Sequence, residues 1–347
     1  MSATVLGTPP AAAATRHRAA YRSAWLLLAL LVVALAALAS VAVGVAVVGW
    51  DDVVRGLSGD DATLGAAAVA KRVPRTVLAL LVGGALGLSG AVMQGVTRNP
   101  LADPAILGIT NGASLAVVSG IAFFGLASPT SYVWVAIGGA AATAVFVYAV
   151  GSMGRGGATP LKLALAGAAT AAASSSLVSA VLLPRLDVMT QFRFWQVGGV
   201  GGAGWDRIGM MLPFLGVGTV VCLASARGLN SLALGDDVAA GLGEHVARTR
   251  LVAGVAAVVL CGAATATAGP IAFVGLMVPH ACRLLVGVDH RWLLPASFVV
   301  GGGLLTLADV VGRVVARPEE VEVGIVTALI GAPVFVWIVR RTRVRAL

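Results

Sequence analysis

Residues 24–49 read AWLLLALLVVALAALASVAVGVAVVG, and this stretch decides the fold class because none of its side chains is charged. About 20 apolar residues, rising 1.5 Å each, cross the roughly 30 Å hydrocarbon layer of a bilayer. A secretory signal peptide is the alternative, since Arg16, Arg18 and Arg22 precede the apolar run. The run is longer than a signal core, and no clear small-residue cleavage site stands out. We therefore interpret it as the first transmembrane helix.

The composition of the whole chain points the same way. Of its 347 residues, 59% are apolar and 11% are charged, whereas a soluble domain carries about 25% charged residues. The net charge of +9 is what arginine-rich cytoplasmic loops produce in a membrane protein. Aromatic residues make up only 5%, too few to indicate base stacking. An ordinary soluble fold is therefore excluded, and no nucleic-acid partner is expected.

Long apolar segments recur along the chain and predict an all-α polytopic membrane protein with about ten transmembrane helices. The eighth segment is short and bounded by glycine and proline, as in a broken or tilted helix. Residues 1–23 are expected to form a disordered cytoplasmic tail, and residues 24–347 one transmembrane domain. The ten segments lie near residues 24–49, 74–97, 104–126, 131–153, 160–183, 207–226, 250–268, 271–286, 293–315 and 324–340.

The distribution of arginines and lysines predicts the orientation of these helices. An even number of spans places both termini on one side, and most of the basic residues then fall on the segments of that side. Because positive charge accumulates on cytoplasmic loops, we expect both termini to be cytoplasmic. Lys71, Arg72 and Arg75 form a basic cluster on the opposite, outer side. This exception to the rule requires a cause.

The sequence lacks the motifs of common enzyme classes. Its two lysines, Lys71 and Lys162, do not end a Gly-Lys-Ser/Thr turn, so the chain contains no ATP-binding P-loop. Neither a Gly-x-Ser-x-Gly elbow nor an HExxH motif occurs, which removes two hydrolase classes. We therefore do not expect this chain to be an enzyme.

The histidine, cysteine and aspartate residues between positions 280 and 290 do not indicate a metal site. His280 and Cys282, with Asp289 and His290, do not match a usual ligand spacing. We interpret His280, which follows Pro279, as a helix boundary, and Asp289-His290 as a cytoplasmic turn. The three cysteines lie in apolar stretches without CxxC spacing, so we expect buried thiols, no disulfide and no bound metal; they are Cys222, Cys261 and Cys282.

Two polar segments carry local structural signals. In the loop after the second span, Pro100 and Pro104 end one helix and begin another, and Asp103 is placed to cap the new helix. Residues 229–244 form the longest polar inner loop. Asp236 and Asp237 suit the start of a short helix after Gly235, with Val238 and Leu242 on one apolar face. That face would contact a cytosolic partner or pack on its own protein, and spacing alone leaves both open.

Two further segments contain breaks and charges within the membrane. Gly269-Pro270 is expected to end a helix on the outer side. Asp309 and Arg313 are spaced i, i+4 in the favourable order and are expected to pair. Immersing an unpaired charge at mid-bilayer costs about 2.5–3.5 kcal/mol, so pairing shares that cost.

Four stretches, taken together and in order, closely resemble the FecCD-type permease family. Members of this family are the membrane subunits of ATP-binding-cassette (ABC) importers for iron–siderophore complexes, haem and vitamin B12. One departure is Glu322, where the family commonly has proline. The resemblance covers roughly residues 50–340, and the stretches are RVPRTVLALLVGGALGLSGAVMQGVTRNPLADPAILGITNGA, LNSLALGDDVAAGLG, AGPIAFVGLMVPHACRLLVGVDHRWLLP and VGIVTALIGAPVF.

The resemblance implies the fold of the vitamin B12 transporter type and a set of partners. A second permease subunit, identical or closely related, would form the translocation path at the dimer interface. A cytosolic ATPase dimer would bind ATP and Mg²⁺, so this chain itself carries no cofactor. The residues implied to couple the permease to that ATPase are Leu232, Gly235, Asp236, Asp237, Leu242, Gly243 and Glu244.

The resemblance also gives the outer basic cluster a cause. It implies that Arg72, Arg75 and Arg313 bind acidic residues of an extracytoplasmic substrate-binding protein, since a basic rim orients an acidic partner. Anchoring to lipid headgroups is the alternative for Arg72 and Arg75. Ser174, Ser175 and Ser176 on the fifth span suit a wide path, and close helix packing is an equally good interpretation.

These observations predict a multi-pass protein of the cytoplasmic (inner) membrane. We expect it to be the permease subunit of an ABC importer for a ferric siderophore, energised by a separate ATPase. A haem or cobalamin permease is the alternative within the class. An ion-coupled secondary transporter is the alternative outside it, although such a transporter needs acidic residues along its path and only Asp309 lies deep in a span.

Overall fold

The structure is a computed structural model that describes residues 11–46, 48–153 and 159–341. Over these residues it contains fourteen α-helices and one 3₁₀ turn at Pro104–Leu107. The helices are α1 Ala11–Ala42, α2 Trp50–Leu57, α3 Leu64–Thr97, α4 Ile109–Phe124, α5 Pro129–Ser152, α6 Pro160–Leu182, α7 Leu186–Gln196, α8 Trp205–Ala224, α9 Ala226–Leu232, α10 Asp236–Gly241, α11 Val246–Ala268, α12 Val274–Val286, α13 His290–Val315 and α14 Val323–Arg341.

Each of the ten predicted segments coincides with one long or apolar helix. Among the described residues, seven helices are long and apolar enough to cross a membrane, namely α1, α3, α5, α6, α8, α11 and α13. Shorter apolar helices occur at Ile109–Phe124, Val274–Val286 and Val323–Trp337. The prediction of an all-α membrane protein is therefore confirmed. The remaining helices, α2, α7, α9 and α10, are short connections between these spans.

Two boundaries differ from the sequence expectation. Residues 11–23, expected to be disordered, belong to helix α1, because alanine and arginine favour helix and the apolar run continues the same turn pattern. Residues 1–10 lie outside the described part. Helix α3 begins at Leu64, ten residues earlier than expected, with the side chain of Thr63 accepting a hydrogen bond from the Ala66 amide. The basic cluster therefore lies within a helix and not on a loop.

Helix α12 shows how a proline is accommodated inside an apolar helix. Pro279 and His280 were expected at a boundary, but both lie within α12. Proline has no amide hydrogen, so the carbonyl four residues earlier loses its donor. That carbonyl belongs to Gly275, and the buried side chain of Gln94 donates to it from Nε2 at 3.3 Å. Gln94 in turn accepts a hydrogen bond of 2.6 Å from Arg283.

Helix α3 is the centre of the bundle, in contact with α13, α11 and α12. Glycine allows this close packing: a Cβ atom at Gly83 would lie 2.3 Å from the Gly301 carbonyl oxygen of α13. A Cβ atom at Gly90 would lie 1.9 Å from the carbonyl oxygen of Gly275 in α12. Most residues of the apolar stretch of α3 are buried, whereas few of those in α1, α5, α6 and α8 are. The outer helices thus retain broad apolar surfaces for lipid or for another subunit.

The helix breaks predicted at Pro100–Pro104 and at Gly269 are confirmed. Asp103 Oδ1 accepts a hydrogen bond of 2.8 Å from the Ala105 amide, although it caps the 3₁₀ turn and α4 begins only after Gly108. Helix α11 ends at Ala268, and Gly269 follows with φ +72°. A Cβ atom at Gly269 would lie 2.2 Å from the Trp195 carbonyl oxygen, so the turn requires glycine on steric grounds as well.

Candidate functional site

The chain presents two polar regions at opposite ends of the bundle. One is the α9–α10 segment, residues 226–244. The other is the arginine cluster, which we define as Arg72, Arg75, Arg313 and Arg317 with Asp309 and Glu320. The predicted coupling residues belong to the first region and the predicted docking residues to the second.

The α9–α10 segment consists of two short helices joined at Gly235. Gly235 has φ +107°, a conformation that residues with a Cβ atom rarely adopt. Asp236 and Asp237 occupy the first turn of α10, as predicted, where carboxylates favour the positive end of a helix dipole. Leu232 is fully buried and anchors the end of α9 in the core.

The apolar side chains of α10 project away from the bundle. Val238 is 51% exposed and Leu242 is 65% exposed. Leu234, on the turn before α10, is 61% exposed. Ala239 on the opposite side of α10 is buried. The small residue of this helix therefore packs on the protein, and its large apolar residues are exposed.

The end of the segment is shaped by two further predicted residues. Gly243 has φ +84° and turns the chain toward α11. Glu244 accepts a short hydrogen bond from the Thr249 hydroxyl, which holds this turn against the first residues of α11. Both residues therefore act on the geometry of the segment.

Polar contacts fasten the α9–α10 segment to distant parts of the chain. Asp236 forms ion pairs with Arg98, at 3.2 Å, and with Arg250, at 2.8 Å. Asn230 on α9 donates from Nδ2 to Asp289 Oδ1 at 2.7 Å and accepts from the His290 amide at 2.9 Å. These partners were not assigned by sequence reasoning, because each is 14 or more residues away along the chain.

Asp289 connects this region to the first helix. Its carboxylate accepts a hydrogen bond of 3.5 Å from Arg22 Nη1, so the start of α1 lies at the same end of the bundle as α9. Burial disfavours the ionised form of Asp289. The hydrogen bonds from Asn230 and the Arg291 amide, together with the positive charges of Arg22 and Arg291, outweigh burial and lower the pKa of Asp289. The carboxyl is therefore ionised at neutral pH and serves as an acceptor for three groups. Among the described residues no group of three or more His, Cys, Asp or Glu side chains could hold a metal ion.

At the other end of the bundle, arginines cap the end of α1. Arg72 donates to the carbonyl oxygens of Val41, Ala42 and Ala46 at 2.7–3.2 Å. The last carbonyls of a helix have no partner within the helix, and a basic group there also matches the helix dipole. Arg72 is only 7% exposed. Its expected position on an exposed docking rim is therefore corrected: its donors are used inside the protein.

Arg313 is buried in the same way. It is 1% exposed and donates to the Ser40 carbonyl at 2.9 Å and to the Ser40 hydroxyl at 2.7 Å. The predicted pair with Asp309 is present at 3.0 Å. Arg313 therefore does not lie on an exposed docking rim either, since a charge at this depth needs partners within the protein. Arg317 continues the cap by donating to the Gly44 carbonyl oxygen.

Arg75 is the member of the cluster that links the buried acid to the surface. Its Nη2 atom lies 2.8 Å from Asp309 Oδ1, and its Nη1 atom lies 2.6 Å from Glu320 Oε2. The side chain of Asp309 is 1% exposed, whereas that of Glu320 is 40% exposed. Of the three predicted docking arginines, Arg75 alone has a partner that an external carboxylate could replace.

Glu322, which stands where proline was expected, lies against a glycine-rich turn. A Cβ atom at Gly199 would lie 1.9 Å from Glu322 Oε2, so glycine at this position makes room for the carboxylate. The Gly324 amide donates to the Gly198 carbonyl at 3.0 Å, which fixes the start of α14 on the same turn. Burial raises the pKa of Glu322, against the opposing effect of Arg75.

The three serines of α6 do not share one environment. Ser174 is buried, and Ser175 and Ser176 are exposed. Asn111 of α4 donates to the Ser175 hydroxyl at 2.6 Å, and Ser176 donates to the Ala172 carbonyl in its own helix. Ser174 thus fits the close-packing interpretation, and the other two leave a polar strip on a helix whose apolar surface is mostly uncovered.

Comparisons with known proteins agree with this architecture. A family model described as the FecCD transport family matches residues 29–341. The chain is 49% identical over 271 residues to the ferric enterobactin transport system permease protein FepD of Escherichia coli (strain K12), covering 78% of this chain and 80% of that protein. It is 46% identical over 270 residues to the probable siderophore transport system permease protein YfiZ of Bacillus subtilis (strain 168), covering 78% and 81%.

A solved structure has the same fold. A chain from an inward-facing conformation of a metal-chelate type ABC transporter superposes with a TM-score of 0.80 at 29% identity, covering 92% of this chain and 99% of that one. The family match spans most of the sequence, and the relatives align over most of their own lengths. The chain is a multi-pass membrane transport permease, and it belongs to the FecCD transport family.

Proposed function

We propose that this chain is the permease subunit of an ABC importer that moves a ferric siderophore across the cytoplasmic membrane, energised by a separate ATPase. The observation that carries the proposal is the free apolar face of α10, formed by Leu234, Val238 and Leu242. Such a face exposed to water at the end of a membrane bundle is a typical partner-binding feature. The siderophore is inferred from the relatives, which are named as ferric enterobactin and siderophore transport permeases.

The proposed orientation places α9 and α10 in the cytoplasm. Arg22 and Asp289 lie in contact near α9, so the start of α1 belongs to the same side. The excess of arginine on the segments of that side supports this orientation. The arginine cluster then faces the extracytoplasmic side, where a binding protein would deliver the cargo.

The proposed contact with the binding protein is reduced to one arginine. Because Arg72 and Arg313 use their donors within the protein, Arg75 is the residue that an acidic side chain of the partner would reach. Such a carboxylate would take the position that Glu320 holds at 2.6 Å from Arg75 Nη1. Exposed ion pairs contribute only about 0–1 kcal/mol, so this exchange costs little.

The proposed path lies between two copies of the subunit, or between this chain and a related one. The support is the exposed strip on α6 that carries Ser175 and Ser176. Polar side chains on an otherwise apolar span face another subunit or a water-filled space more often than lipid. A bound ferric chelate would be in contact with these hydroxyls during passage.

The experiment that tests the proposal uses the Leu242→Asp variant. The chain is co-expressed with a candidate ATPase subunit from the same genome, and complex formation is measured by co-purification. Burying a leucine contributes about 1.5–3 kcal/mol, so the variant should bind the ATPase at least about tenfold more weakly. Leu183→Asp is the control, since Leu183 is 87% exposed at the opposite end of the bundle.

Cargo is identified with the reconstituted complex and the binding protein in vesicles. Uptake of ⁵⁵Fe-loaded catecholate and hydroxamate siderophores, haem and cobalamin is measured with ATP enclosed. Uptake of a ferric siderophore supports the proposal, and uptake of haem or cobalamin alone overturns the choice of cargo. Uptake driven by an ion gradient in vesicles that contain only this chain would overturn the ABC mechanism.

A further inference from the structure

Asp236 is bound by two arginines from two different helices. Arg250 donates from Nη2 to Asp236 Oδ1 at 2.8 Å and from Nη1 to Oδ2 at 2.9 Å. Arg98 Nη2 lies 3.2 Å from the same Oδ1 atom. The two parallel bonds from Arg250 form a bidentate pair, which fixes orientation as well as distance.

Both arginines belong to the most buried helices of the bundle. Arg98 directly follows the last residue of α3, with φ 52°, and Arg250 lies in the second turn of α11. The apolar stretches of α3 and α11 are more extensively buried than those of the other five candidate spans, and the two helices contact each other. A displacement of Asp236 would therefore be passed to the two most buried helices, α3 and α11.

Helix α10 and helix α9 are held by different side-chain contacts. Gly235, with φ +107°, separates it from α9. Helix α9 is held separately, because Asn230 is bonded to Asp289 and to the His290 amide. The side-chain bonds of Asn230 on α9 thus go to Asp289 and His290, whereas those of Asp236 on α10 go to Arg98 and Arg250, with Gly235 between the two helices.

We propose that Asp236 is a positioning residue that transmits displacement of α10 to α3 and α11 through Arg98 and Arg250. The inference rests on the proposed function, in which an ATPase grips the free face of α10. It goes beyond that function because it separates two roles within the segment. Val238 and Leu242 bind the ATPase, while Asp236 faces inward and connects α10 to α3 and α11.

The ion pairs of Asp236 with Arg98 and Arg250 are partly exposed. A role in transmitting motion can therefore be distinguished from a role in folding stability. The side chains of Asp236 and Arg98 are 40% and 44% exposed, and that of Arg250 is 24% exposed. Breaking partly exposed pairs costs less folding stability than breaking a buried pair, because water can solvate the charges that are left. Breaking them should therefore leave the fold and ATPase assembly intact, and should disconnect the motion of α10 from that of α11.

The test uses Arg250→Gln, which breaks the bidentate pair without altering the surface of α10. The matched control is Arg248→Gln, because Arg248 is an exposed arginine of the same helix end with no ion pair among the described residues. Spin labels are placed at Ala240 on α10, Val252 on α11 and Leu165 on α6, with the three native cysteines replaced by alanine. Distances are measured in the permease–ATPase complex with and without MgATP and orthovanadate.

In the unmodified complex and in the Arg248→Gln control, trapping should change the Val252–Leu165 distance while the Ala240–Val252 distance stays constant. In Arg250→Gln, the Ala240–Val252 distance should change instead, and the Val252–Leu165 change should be lost. A wild-type response in Arg250→Gln overturns the proposal, as does a complex in which trapping never changes the Val252–Leu165 distance. Failure of the unmodified chain to bind any ATPase would instead refute the proposed function, so the two failures are distinguishable.

Discussion

The buried carboxylate of Asp309 allows the sharpest test of the arginine cluster. Replacing it by asparagine keeps the shape of the side chain and removes its charge. Asp309 accepts hydrogen bonds from Arg75 at 2.8–3.1 Å and lies 3.0 Å from Arg313 Nη2. Both the acid and Arg313 are 1–2% exposed, so water cannot replace the lost charge.

The expected magnitude follows from this burial. Removing one partner of a buried ion pair leaves an uncompensated charge and destabilises a protein by about 3–5 kcal/mol. Glu320 binds the same arginine at the surface, where an ion pair contributes about 0–1 kcal/mol. We therefore expect Asp309→Asn to lower the free energy of unfolding by about 3–5 kcal/mol, and Glu320→Gln by no more than about 1 kcal/mol.

The free energy of unfolding is measured by titrating the purified chain in mixed micelles with a denaturing detergent and following tryptophan fluorescence. The Glu320→Gln effect should shrink as salt is added, because salt screens exposed charges, whereas the Asp309→Asn effect should not. The double variant should deviate from additivity because both acids bind Arg75. If Asp309→Asn and Glu320→Gln cost the same small amount, Arg313 and Arg75 do not depend on Asp309, and the interpretation of the cluster is wrong.

Three further predictions concern docking, packing and pH. Glu320→Gln should strengthen association with the proposed acidic binding protein at low salt, because it frees Arg75 Nη1. Glu319→Gln, an equal change in charge beside it, should have a smaller effect, and equal effects in a binding assay would refute the exchange. Gly83→Ala should destabilise the chain by about 1–3 kcal/mol through overpacking. The control Gly216→Ala, at a glycine with open space around it, should be neutral or stabilising by up to about 1 kcal/mol. Equal melting temperatures for these two variants would contradict the close α3–α13 contact. The pKa of Glu322 is raised in the fold, so its ionised form opposes folding. Glu322→Gln should therefore have a higher melting temperature than wild type at neutral pH, and the difference should vanish as the pH falls through that pKa. A difference in melting temperature that is independent of pH would exclude this cause.

The α9–α10 segment shows how far local sequence reasoning reached. The acidic residues after Gly235 predicted the start of a short helix, and the spacing of Val238 and Leu242 predicted a common face. Both are properties of one helical turn and were confirmed. Which way that face points depends on the surrounding helices, so the sequence left it open and the structure decided it.

The arginine cluster shows where sequence reasoning failed. The position of Arg72 and Arg313 near the outer ends of helices was anticipated, but their burial was not. The carbonyls that Arg72 binds belong to residues 26–31 positions earlier, and the Ser40 and Val43 carbonyls that Arg313 binds are 270–273 positions away. The sequence signal was available in principle, since an apolar helix that ends in the membrane leaves carbonyls that need donors.

The sequence by itself determined the membrane class, the approximate spans, most of the helix breaks and the family, because hydrophobicity and helix-ending residues act within a few neighbouring positions. Only the tertiary structure decided that Arg75 links buried Asp309 to exposed Glu320, that Asp236 joins the ends of α3 and α11, and that Gly83 lies against the backbone of α13. These contacts join residues far apart in the chain, and their partners are selected by how whole helices pack against each other.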